Sequence, residues 1–422
     1  MNIEIINTGT ELMLGSTLNT HHQWLARELF QAGYLVTRQL TVADDGPSIQ
    51  EAAREALGRA DLILITGGLG PTSDDLTREL IAALLGKKLA LDESILDRIS
   101  SFYQDRQRAL PPSTRVQAMV PEGARVLTNH YGTAPGLAME CQPNPYRKDG
   151  RASLLILLPG PPRELHPMFQ EQVLPWVKQK FVLNQPFFAR ILRTTGLGES
   201  SIEEKIGPVL TGLVSEGLEL GYCARIGQVD LRLIGRGVRA QEVVGEAEAI
   251  IRRELGDAIY GVGEVLLESE VVRMLTEKRQ TLSLAESCTG GLIAHRITNV
   301  PGASQVLLAG FVTYSNTAKT QFLGVPDEII RAHGAVSEAV ARAMAEGARQ
   351  HAGSDFALAV TGIAGPAGGS AAKPVGTVFI ALASRDETRI VRQFNPLDRE
   401  SFKLMVSQQA LNMLRKKILE PV

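Results

Sequence analysis

The chain has 422 residues, a length that predicts two or three domains, and a formal net charge of −2, which disfavours general nucleic-acid binding because that requires a basic surface. No apolar run approaches the roughly 18 residues of a membrane-spanning helix. Its three cysteines are scattered, so they predict neither a disulfide scaffold nor a zinc site, and we expect a cytoplasmic protein without membrane or nucleic-acid partners.

Residues 1–182 alternate between strand and helix signals. The predicted elements are strands at Ile3–Ile6, Tyr34–Leu40, Asp61–Ile65 and Leu154–Leu158, and helices at Asn19–Ala32, Ser48–Leu57 and Asp74–Leu85. The third and fourth strands are short and almost wholly apolar, as buried parallel strands are. This part of the chain therefore predicts a doubly wound α/β domain.

Polar, glycine-rich loops follow three strands of this first domain. Open α/β sheets bind ligands at the carboxyl ends of their strands, so we expect these loops to share one site. The candidate phosphate-binding residues are Gly67, Gly68, Gly70, Thr72 and Gly160, and the candidate ligands of a divalent cation are Glu11, Asp74 and Asp75. The alternative for Asp74 or Asp75 is a helix N-cap.

Residues 183–262 predict a small α+β module. Strand signals lie at Phe188–Thr194 and Val229–Gly235, and helical signals at Ser200–Val209 and Ala240–Leu255. The segment Gly261–Glu264 has the composition of a linker. We interpret this module as a spacer or a dimerisation element.

Residues 263–422 predict a third domain of mixed α/β type. The predicted elements are strands at Thr281–Ala285, Val306–Tyr314, Phe356–Val360 and Val375–Ala383, and helices at Val271–Glu277, Gly290–Asn299, Ser337–His351 and Arg399–Ile418. Ser337 has the position and side chain of a helix N-cap.

Three motifs in this domain carry chemistry: residues 285–291 (Ala-Glu-Ser-Cys-Thr-Gly-Gly), 314–319 (Tyr-Ser-Asn-Thr-Ala-Lys) and 361–369 (Thr-Gly-Ile-Ala-Gly-Pro-Ala-Gly-Gly). In the first, Ser287 is the candidate nucleophile, and the amides near Thr289 and Gly290 are the candidate donors to an oxyanion. Lys319 is its candidate base, since burial lowers a lysine's affinity for its proton, and Tyr314 would relay the proton or orient Lys319. The alternative without catalysis is that Ser287 caps a helix and Lys319 is a solvated surface charge.

Cys288 is a rival nucleophile, because a thiol at a helix N-terminus can have a lowered pKa. A thiolate of this kind usually has a histidine partner. His295 lies seven residues further along the same predicted helix, which is too far for it to pair directly with Cys288. We therefore interpret Cys288 as a small buried side chain.

These motifs, with residues 334–337 (Gly-Ala-Val-Ser) and 373–378 (Lys-Pro-Val-Gly-Thr-Val), closely resemble the C-terminal domain of the CinA family. The resemblance implies hydrolysis of nicotinamide mononucleotide to nicotinate mononucleotide and ammonia, without a cofactor, by a Ser–Lys pair that falls on Ser287 and Lys319. The candidate substrate-binding residues are Glu286, Thr289, Gly290, Gly291, Thr361, Gly362, Gly365, Gly368 and Arg399. One departure is Lys403, where the family often has arginine.

The loops of the first domain, together with residues 129–136, resemble the molybdopterin-binding-like domain of the same family. That resemblance implies metal-dependent hydrolysis of ADP-ribose to AMP and ribose 5-phosphate. His21 departs from the asparagine often found there. The middle module resembles the family's KH-like domain, and the whole resemblance implies a homodimer.

Two other functions compete with this interpretation. A molybdopterin-handling transferase would explain the first domain and leave Ser287 and Lys319 without a role. A non-catalytic nucleotide sensor or competence adaptor would bind the same ligands without turnover.

Overall fold

The computed structural model describes residues 1–183 and 187–420. The chain divides into two compact units, Met1–Asn184 and Gln185–Val422. In the described part of the chain, no helix is long and apolar enough to span a bilayer.

The first unit alternates strands and helices along the chain. Its strands are β1 (Ile3–Thr8), β2 (Arg38–Val42), β3 (Leu62–Thr66), β4 (Leu89–Leu91), β5 (Met119–Pro121), β6 (Arg125–Leu127), β7 (Gly136–Cys141) and β8 (Ser153–Leu158). Its α-helices are α1 (Thr10–Met13), α2 (His21–Gln31), α3 (Gly46–Leu57), α4 (Thr77–Leu84), α5 (Glu93–Gln104), α6 (Pro162–Met168) and α7 (Leu174–Lys180).

Six strands form one sheet in the order β2-β1-β3-β8-β7-β6. The first four are parallel, and β7 and β6 are antiparallel to their neighbours. In β3, Leu62 and Leu64 pack against α2 and α6, whereas Ile63 and Ile65 pack against α3 and α4. Both faces of the strand are thus covered, which explains its continuous apolar run and confirms the predicted doubly wound domain.

The predicted second strand, Tyr34–Leu40, begins too early. The hydroxyl of Tyr34 donates a 2.8 Å hydrogen bond to the carbonyl of Phe181, which holds this residue in the loop before β2. Strand β2 starts only at Arg38, where pairing with β1 begins. Tertiary contact therefore overrides the local strand signal here.

The second unit begins with a four-stranded sheet and continues into a five-stranded one. Its strands are β9 (Phe187–Thr195), β10 (Glu219–Arg225), β11 (Gln228–Arg236), β12 (Ile259–Val262), β13 (Leu282–Glu286), β14 (Leu307–Val312), β15 (Phe356–Gly362), β16 (Thr377–Ala383) and β17 (Thr388–Phe394). Its α-helices are α8 (Glu199–Ser215), α9 (Ala240–Leu255), α10 (Leu267–Lys278), α11 (Leu292–Thr298), α12 (Asn316–Leu323), α13 (Asp327–His333), α14 (Glu338–Ala352) and α15 (Arg399–Leu419).

The antiparallel sheet β10-β11-β9-β12 packs against α8 and α9, as the predicted α+β module requires. The predicted linker Gly261–Glu264 is wrong in its first half, because Gly261 and Val262 pair with β9. Beyond the strand, the carbonyl of Gly263 accepts a 2.7 Å hydrogen bond from Arg193, and Glu264 forms an ion pair with the same guanidinium. A buried arginine therefore fixes a segment whose composition resembles a loop.

The second sheet has the order β14-β13-β15-β16-β17. Its first three strands are parallel and the last two are antiparallel. Residues Leu358 and Val360 of β15 face α10, α11 and α15, whereas Ala357 and Ala359 face α14. The carboxyl ends of β14, β13 and β15 therefore meet at one edge, where the first and third motifs follow their strands.

Candidate active site

Ser287 lies at the carboxyl edge of the second sheet, immediately after β13. Its amide donates a 3.1 Å hydrogen bond to the carbonyl of Val360 in β15, so strand pairing continues one residue beyond β13. On the β14 side the preceding residue is held, since the carbonyl of Glu286 accepts a 2.9 Å hydrogen bond from the amide of Thr313. A backbone fixed in this way limits where the Ser287 side chain can point, which favours the preorganisation that a nucleophile needs.

Lys319 reaches the same place from the first turns of α12. Ser315 caps this helix by accepting a 3.1 Å hydrogen bond from the amide of Ala318. The side chain of Lys319 is 1% exposed, and its Nζ lies 3.1 Å from Oγ of Ser287 and 2.8 Å from the carbonyl oxygen of Thr313. Burial lowers the pKa of Lys319 because water no longer stabilises the ammonium form.

The thiol of Cys288 is buried on the core side of the sheet. Its side chain is 6% exposed and packs in the same apolar cluster as α11 and α15. Burial raises its pKa to about 12, so the reactive thiolate is scarce near neutral pH. The structure thus supports the interpretation of Cys288 as a core residue.

Glu286 has a different role from the predicted substrate contact. Its carboxylate is buried and accepts hydrogen bonds from the amides of Gly291 (3.0 Å), Ile293 (3.1 Å) and Ala294 (2.8 Å). These amides begin α11, whose N-cap residue offers no side-chain acceptor. Glu286 therefore satisfies and stabilises a helix N-terminus that would otherwise be unpaired.

This arrangement also changes the predicted oxyanion donors. The amide of Gly290 donates to the carbonyl of Ser287 at 3.2 Å, and that of Gly291 is held by Glu286. The amides of Cys288 and Thr289 donate to no carbonyl among residues 1–183 and 187–420. They replace Gly290 as the candidate oxyanion donors beside Ser287.

Tyr314 points to a different partner from the predicted one. Its side chain is 61% exposed, and its hydroxyl accepts a 2.6 Å hydrogen bond from Arg399 at the start of α15. The same guanidinium donates to the carbonyl of Gly365 at 2.9 Å. Tyr314 is thus tied to the third motif rather than to Lys319, and the structure gives no support for a proton relay through it.

The third motif lies beside the first, since β15 carries both Val360 and Thr361. The hydroxyl of Thr361 is buried and donates a 2.8 Å hydrogen bond to the carbonyl of Ala335, so this side chain positions a neighbouring loop. A Cβ at Gly362 would lie 2.9 Å from the carbonyl oxygen of Thr377, too close for another residue. Gly365 and Gly368 have φ angles of +73° and +95°, which favour glycine.

Two further residues lie beside Lys319 or the loop that carries Ser287. Thr313 provides the carbonyl that holds Lys319, and it was missed because only its position directly before the second motif marks it. Lys403 places its Nζ 3.9 Å from the Cβ position of Gly290, next to the loop that carries Ser287. Both a buried base and a surface cation therefore approach the same loop.

In the first unit, the predicted phosphate-binding residues of two loops lie close together. Gly67 and Gly68 have φ angles of +98° and +68°, and a Cβ at Gly160 would lie 3.9 Å from the Cα of Gly67. The loops that follow β3 and β8 are therefore adjacent. Asp75 accepts hydrogen bonds from the amide (3.0 Å) and the hydroxyl of Thr72, which closes the loop upon itself.

The comparisons with known proteins cover the whole chain. The matching profiles are described as "Probable molybdopterin binding domain" (residues 4–179), "Damage-inducible protein CinA KH domain" (residues 189–261) and "CinA C-terminal domain" (residues 265–418). A CinA-like protein of Akkermansia muciniphila is 46% identical over 422 residues, covering 100% of this chain and 98% of that protein. The chain belongs to the CinA family.

Other family members show the same extent of similarity. A CinA-like protein of Dictyoglomus thermophilum is 42% identical over 422 residues, covering 99% of this chain and all of the other. The crystal structure of the competence/damage inducible protein CihA from Agrobacterium tumefaciens is 42% identical, covers 36% of this chain and 96% of its own, and has a TM-score of 0.34.

The divalent cation that the resemblance to CinA implies does not fit the predicted ligands. No group of three or more His, Cys, Asp or Glu side chains suited to a metal occurs in the described part of the chain. Glu11 and Asp74 are exposed, and the carboxylate of Asp75 is engaged by Thr72. Nor does either aspartate cap α4, whose N-cap residue is Leu76.

His21 lies at the candidate phosphate loop. Its Nε2 is hydrogen-bonded to the carbonyl of Gly160, and its ring packs edge-on against His166. Burial lowers the pKa of His21, which favours the neutral imidazole. The side chain therefore supports the backbone of this loop.

Proposed function

We propose that the C-terminal domain hydrolyses the carboxamide of nicotinamide mononucleotide, releasing nicotinate mononucleotide and ammonia. The observation that carries this proposal is the 3.1 Å distance between Nζ of Lys319 and Oγ of Ser287. Burial lowers the pKa of Lys319 and so makes its neutral amine, the form that accepts a proton, more accessible. The family resemblance supplies the nucleotide substrate.

The reaction follows from these two side chains. Neutral Lys319 takes the proton of Ser287 while Oγ attacks the carboxamide carbon, which forms a tetrahedral oxyanion. The amides of Cys288 and Thr289 are the donors for this charge. Lys319 then transfers its proton to the leaving nitrogen, the C–N bond breaks, and ammonia departs.

The ester that remains on Ser287 reacts with water in a second step. Neutral Lys319 accepts a proton from the water as its oxygen attacks the ester carbon. When the C–O bond to Ser287 breaks, Lys319 returns the proton to Oγ, and the carboxylic acid product is released. Both half-reactions use the same base, whose position is fixed by the Thr313 carbonyl.

Two cations at the start of α15 favour a phosphorylated substrate. Lys403 lies next to Gly290 and forms no ion pair with any described carboxylate, so its charge is available. Arg399 is already held by Tyr314 and Gly365 and therefore has a fixed orientation. An amide joined to a phosphate would place its reacting carbon at Ser287 and its charge near α15.

For the first unit, we propose binding of a nucleotide phosphate at the loop formed by Gly67, Gly68, Gly70 and Gly160. The amide of Gly67 already donates to the carbonyl of Leu158 at 3.0 Å and shapes the loop. The amides of Gly68, Gly70 and Gly160 donate to no backbone carbonyl of the described residues, so they are the candidate donors to an anion. The implied ADP-ribose pyrophosphatase activity requires a metal that the predicted carboxylates do not assemble to bind, so we assign no residues to that step. A homodimer in the cytoplasm remains part of the proposal.

The experiment is a measurement of ammonia release from nicotinamide mononucleotide by the purified full-length chain, with and without EDTA. Release that survives EDTA and disappears in Ser287→Ala would support the proposal. Nucleotide binding without release would favour the sensor, and pterin binding without release would favour the transferase. Either of these last results would contradict the proposed amidohydrolase.

A further inference from the structure

A cavity in the unit Gln185–Val422, separate from the candidate active site, has no role in the proposed reaction. It lies between the antiparallel sheet and α15 and has a volume of about 340 Å³, which is within the range of sites for small metabolites. Its walls come from the turn before α8, the hairpin between β10 and β11, and one side of α15. Ser287 and Lys319 do not line it.

One wall of this cavity is a helix N-terminus without a cap. Helix α8 has 17 residues and begins after Gly198, which has no side chain to accept its first amides. The first intrahelical hydrogen bond is that from Ile202 to Gly198, and the three preceding amides have no acceptor among the described residues. These N–H groups and the helix dipole favour an anion.

Asn412 provides an independent donor on the opposite wall. Its side chain is 8% exposed, and its Oδ1 accepts hydrogen bonds from Arg415 at 2.9 and 3.1 Å. Nδ2 must then point the other way, where it lies 3.3 Å from the Cβ position of Gly196 and donates to nothing in the described chain. Because Nδ2 is reached by solvent, it faces the open cavity, where water or a ligand can accept its hydrogen bond.

The formal charges of the cavity lining come from Arg225 and Glu199. The side chain of Arg225 is 53% exposed and lies 3.5 Å from the carboxylate of Asp230, which is already paired with Arg193 at 2.5 Å. Arg225 therefore retains donors for a ligand. Glu199 is exposed to solvent, where water screens its charge.

We propose that this cavity binds a small metabolite through a phosphate group, held by the α8 amides, Nδ2 of Asn412 and the guanidinium of Arg225. All three donate hydrogen bonds, and none of them is an acceptor. Phosphate accepts several hydrogen bonds at once, so it matches a lining with convergent donors. The volume leaves room for a mononucleotide-sized group beyond the phosphate.

Helix α15 connects this cavity to the candidate active site. Asn412 lies nine residues after Lys403, about 14 Å along the helix axis. Gln409, also in the cavity wall, forms reciprocal hydrogen bonds of 3.0 and 3.2 Å with Asn395, three residues before the N-cap Asp398. The cavity wall is thus joined by hydrogen bonds to the segment that leads into α15.

The test is isothermal titration of the full-length chain with inorganic phosphate and, separately, with AMP. We expect Arg225→Ala and Asn412→Asp to weaken binding by roughly tenfold or more, because each removes a donor to a charged group. Asn412→Asp keeps the acceptor for Arg415, so the helix contact is preserved. Arg232→Ala, which removes an exposed arginine from the same sheet outside the cavity, is the matched control and should bind as the wild type does.

The outcomes separate the source of the ligand and the two proposals. Only the binding that weakens in Arg225→Ala and Asn412→Asp belongs to the cavity, because the loop at Gly67 and the cations of α15 are also proposed to bind phosphate. Equal affinity of phosphate and AMP in that binding would indicate free phosphate, and tighter binding of AMP would indicate a nucleotide. Unchanged affinity in both cavity variants, or no heat with either probe at millimolar concentration, would overturn the cavity proposal. Ammonia release need not occur for these titrations to succeed, so failure of the amidohydrolase would be seen independently.

Discussion

The Nζ of Lys319 lies 3.1 Å from the Oγ of Ser287, although 32 residues separate them in the chain. The same Nζ is held 2.8 Å from the carbonyl of Thr313, and the lysine is almost wholly buried. A surface lysine would be free to rotate away. Because this one is fixed and desolvated, its distance to Ser287 is the basis of the predictions below.

Replacing Ser287 with alanine should lower ammonia release by at least about a thousandfold, because the nucleophile is lost while the surrounding loops remain. Nicotinamide mononucleotide should still bind, as measured by isothermal titration. The matched control is Cys288→Ala, which should keep activity because the thiol is protonated and buried. Full activity in Ser287→Ala would transfer the role to another nucleophile.

Lys319→Met should cause a loss similar to that of Ser287→Ala, measured as kcat for ammonia release. Lys319→Arg distinguishes a base from a simple positive charge, because arginine keeps the charge and does not release its proton. We expect both variants to be inactive. An active Lys319→Arg variant would mean that Lys319 acts through its charge alone.

The activity of the wild type should rise with pH through the lowered pKa of Lys319, since only the neutral amine accepts the proton of Ser287. The measurement is kcat/KM for ammonia release against pH. A rate that falls over the same interval would contradict the assigned base.

The free energy of unfolding should change with pH for the same reason. The folded pKa of Lys319 lies below its ordinary 10.5, so between these two values the unfolded chain binds more protons than the folded one. The cost of burying the amine is therefore full below the folded pKa and disappears as pH rises to about 10.5. Urea unfolding of Lys319→Met should lack this slope and should show greater stability at neutral pH.

Tyr314→Phe should retain activity within about threefold, because its hydroxyl contacts Arg399 and a single exposed hydrogen bond contributes little. Arg399→Ala should instead raise KM by roughly tenfold, since it removes both the contact to Gly365 and a cation at the proposed phosphate position. These constants come from steady-state assays of ammonia release. A large fall in kcat for Tyr314→Phe would restore the proton relay.

Glu286→Gln should lower the free energy of unfolding by about 1–3 kcal/mol, because three amides of α11 lose a charged acceptor. Chemical denaturation measures this directly. Glu338→Gln, an exposed residue in the first turn of α14, is the control and should cost less than about 0.5 kcal/mol. Equal stability of the two variants would show that Glu286 does not stabilise α11.

Much of the fold followed from local patterns in the sequence. The apolar run Leu62–Ile65 indicates a strand covered on both faces, and Ser337 caps α14 as its side chain predicts, accepting 3.3 Å from Val340. Strand β10 and the early part of β12 were harder to recognise. Strand β12 pairs with β9, which lies far earlier in the chain. Strand β10 is an edge strand, and its sequence mixes charged residues, glycine and apolar residues without clear alternation.

The sequence by itself marked Ser287, Lys319 and the glycine loops as candidates, because nucleophiles, bases and positive φ angles require particular residue types. Only the tertiary structure decided their partners: Glu286 belongs to α11, Tyr314 to Arg399, and Asp75 to Thr72. A side chain's residue type limits which hydrogen bonds it can form. Which of them it does form depends on groups brought near it by strand pairing and helix packing, and these are distant in the chain.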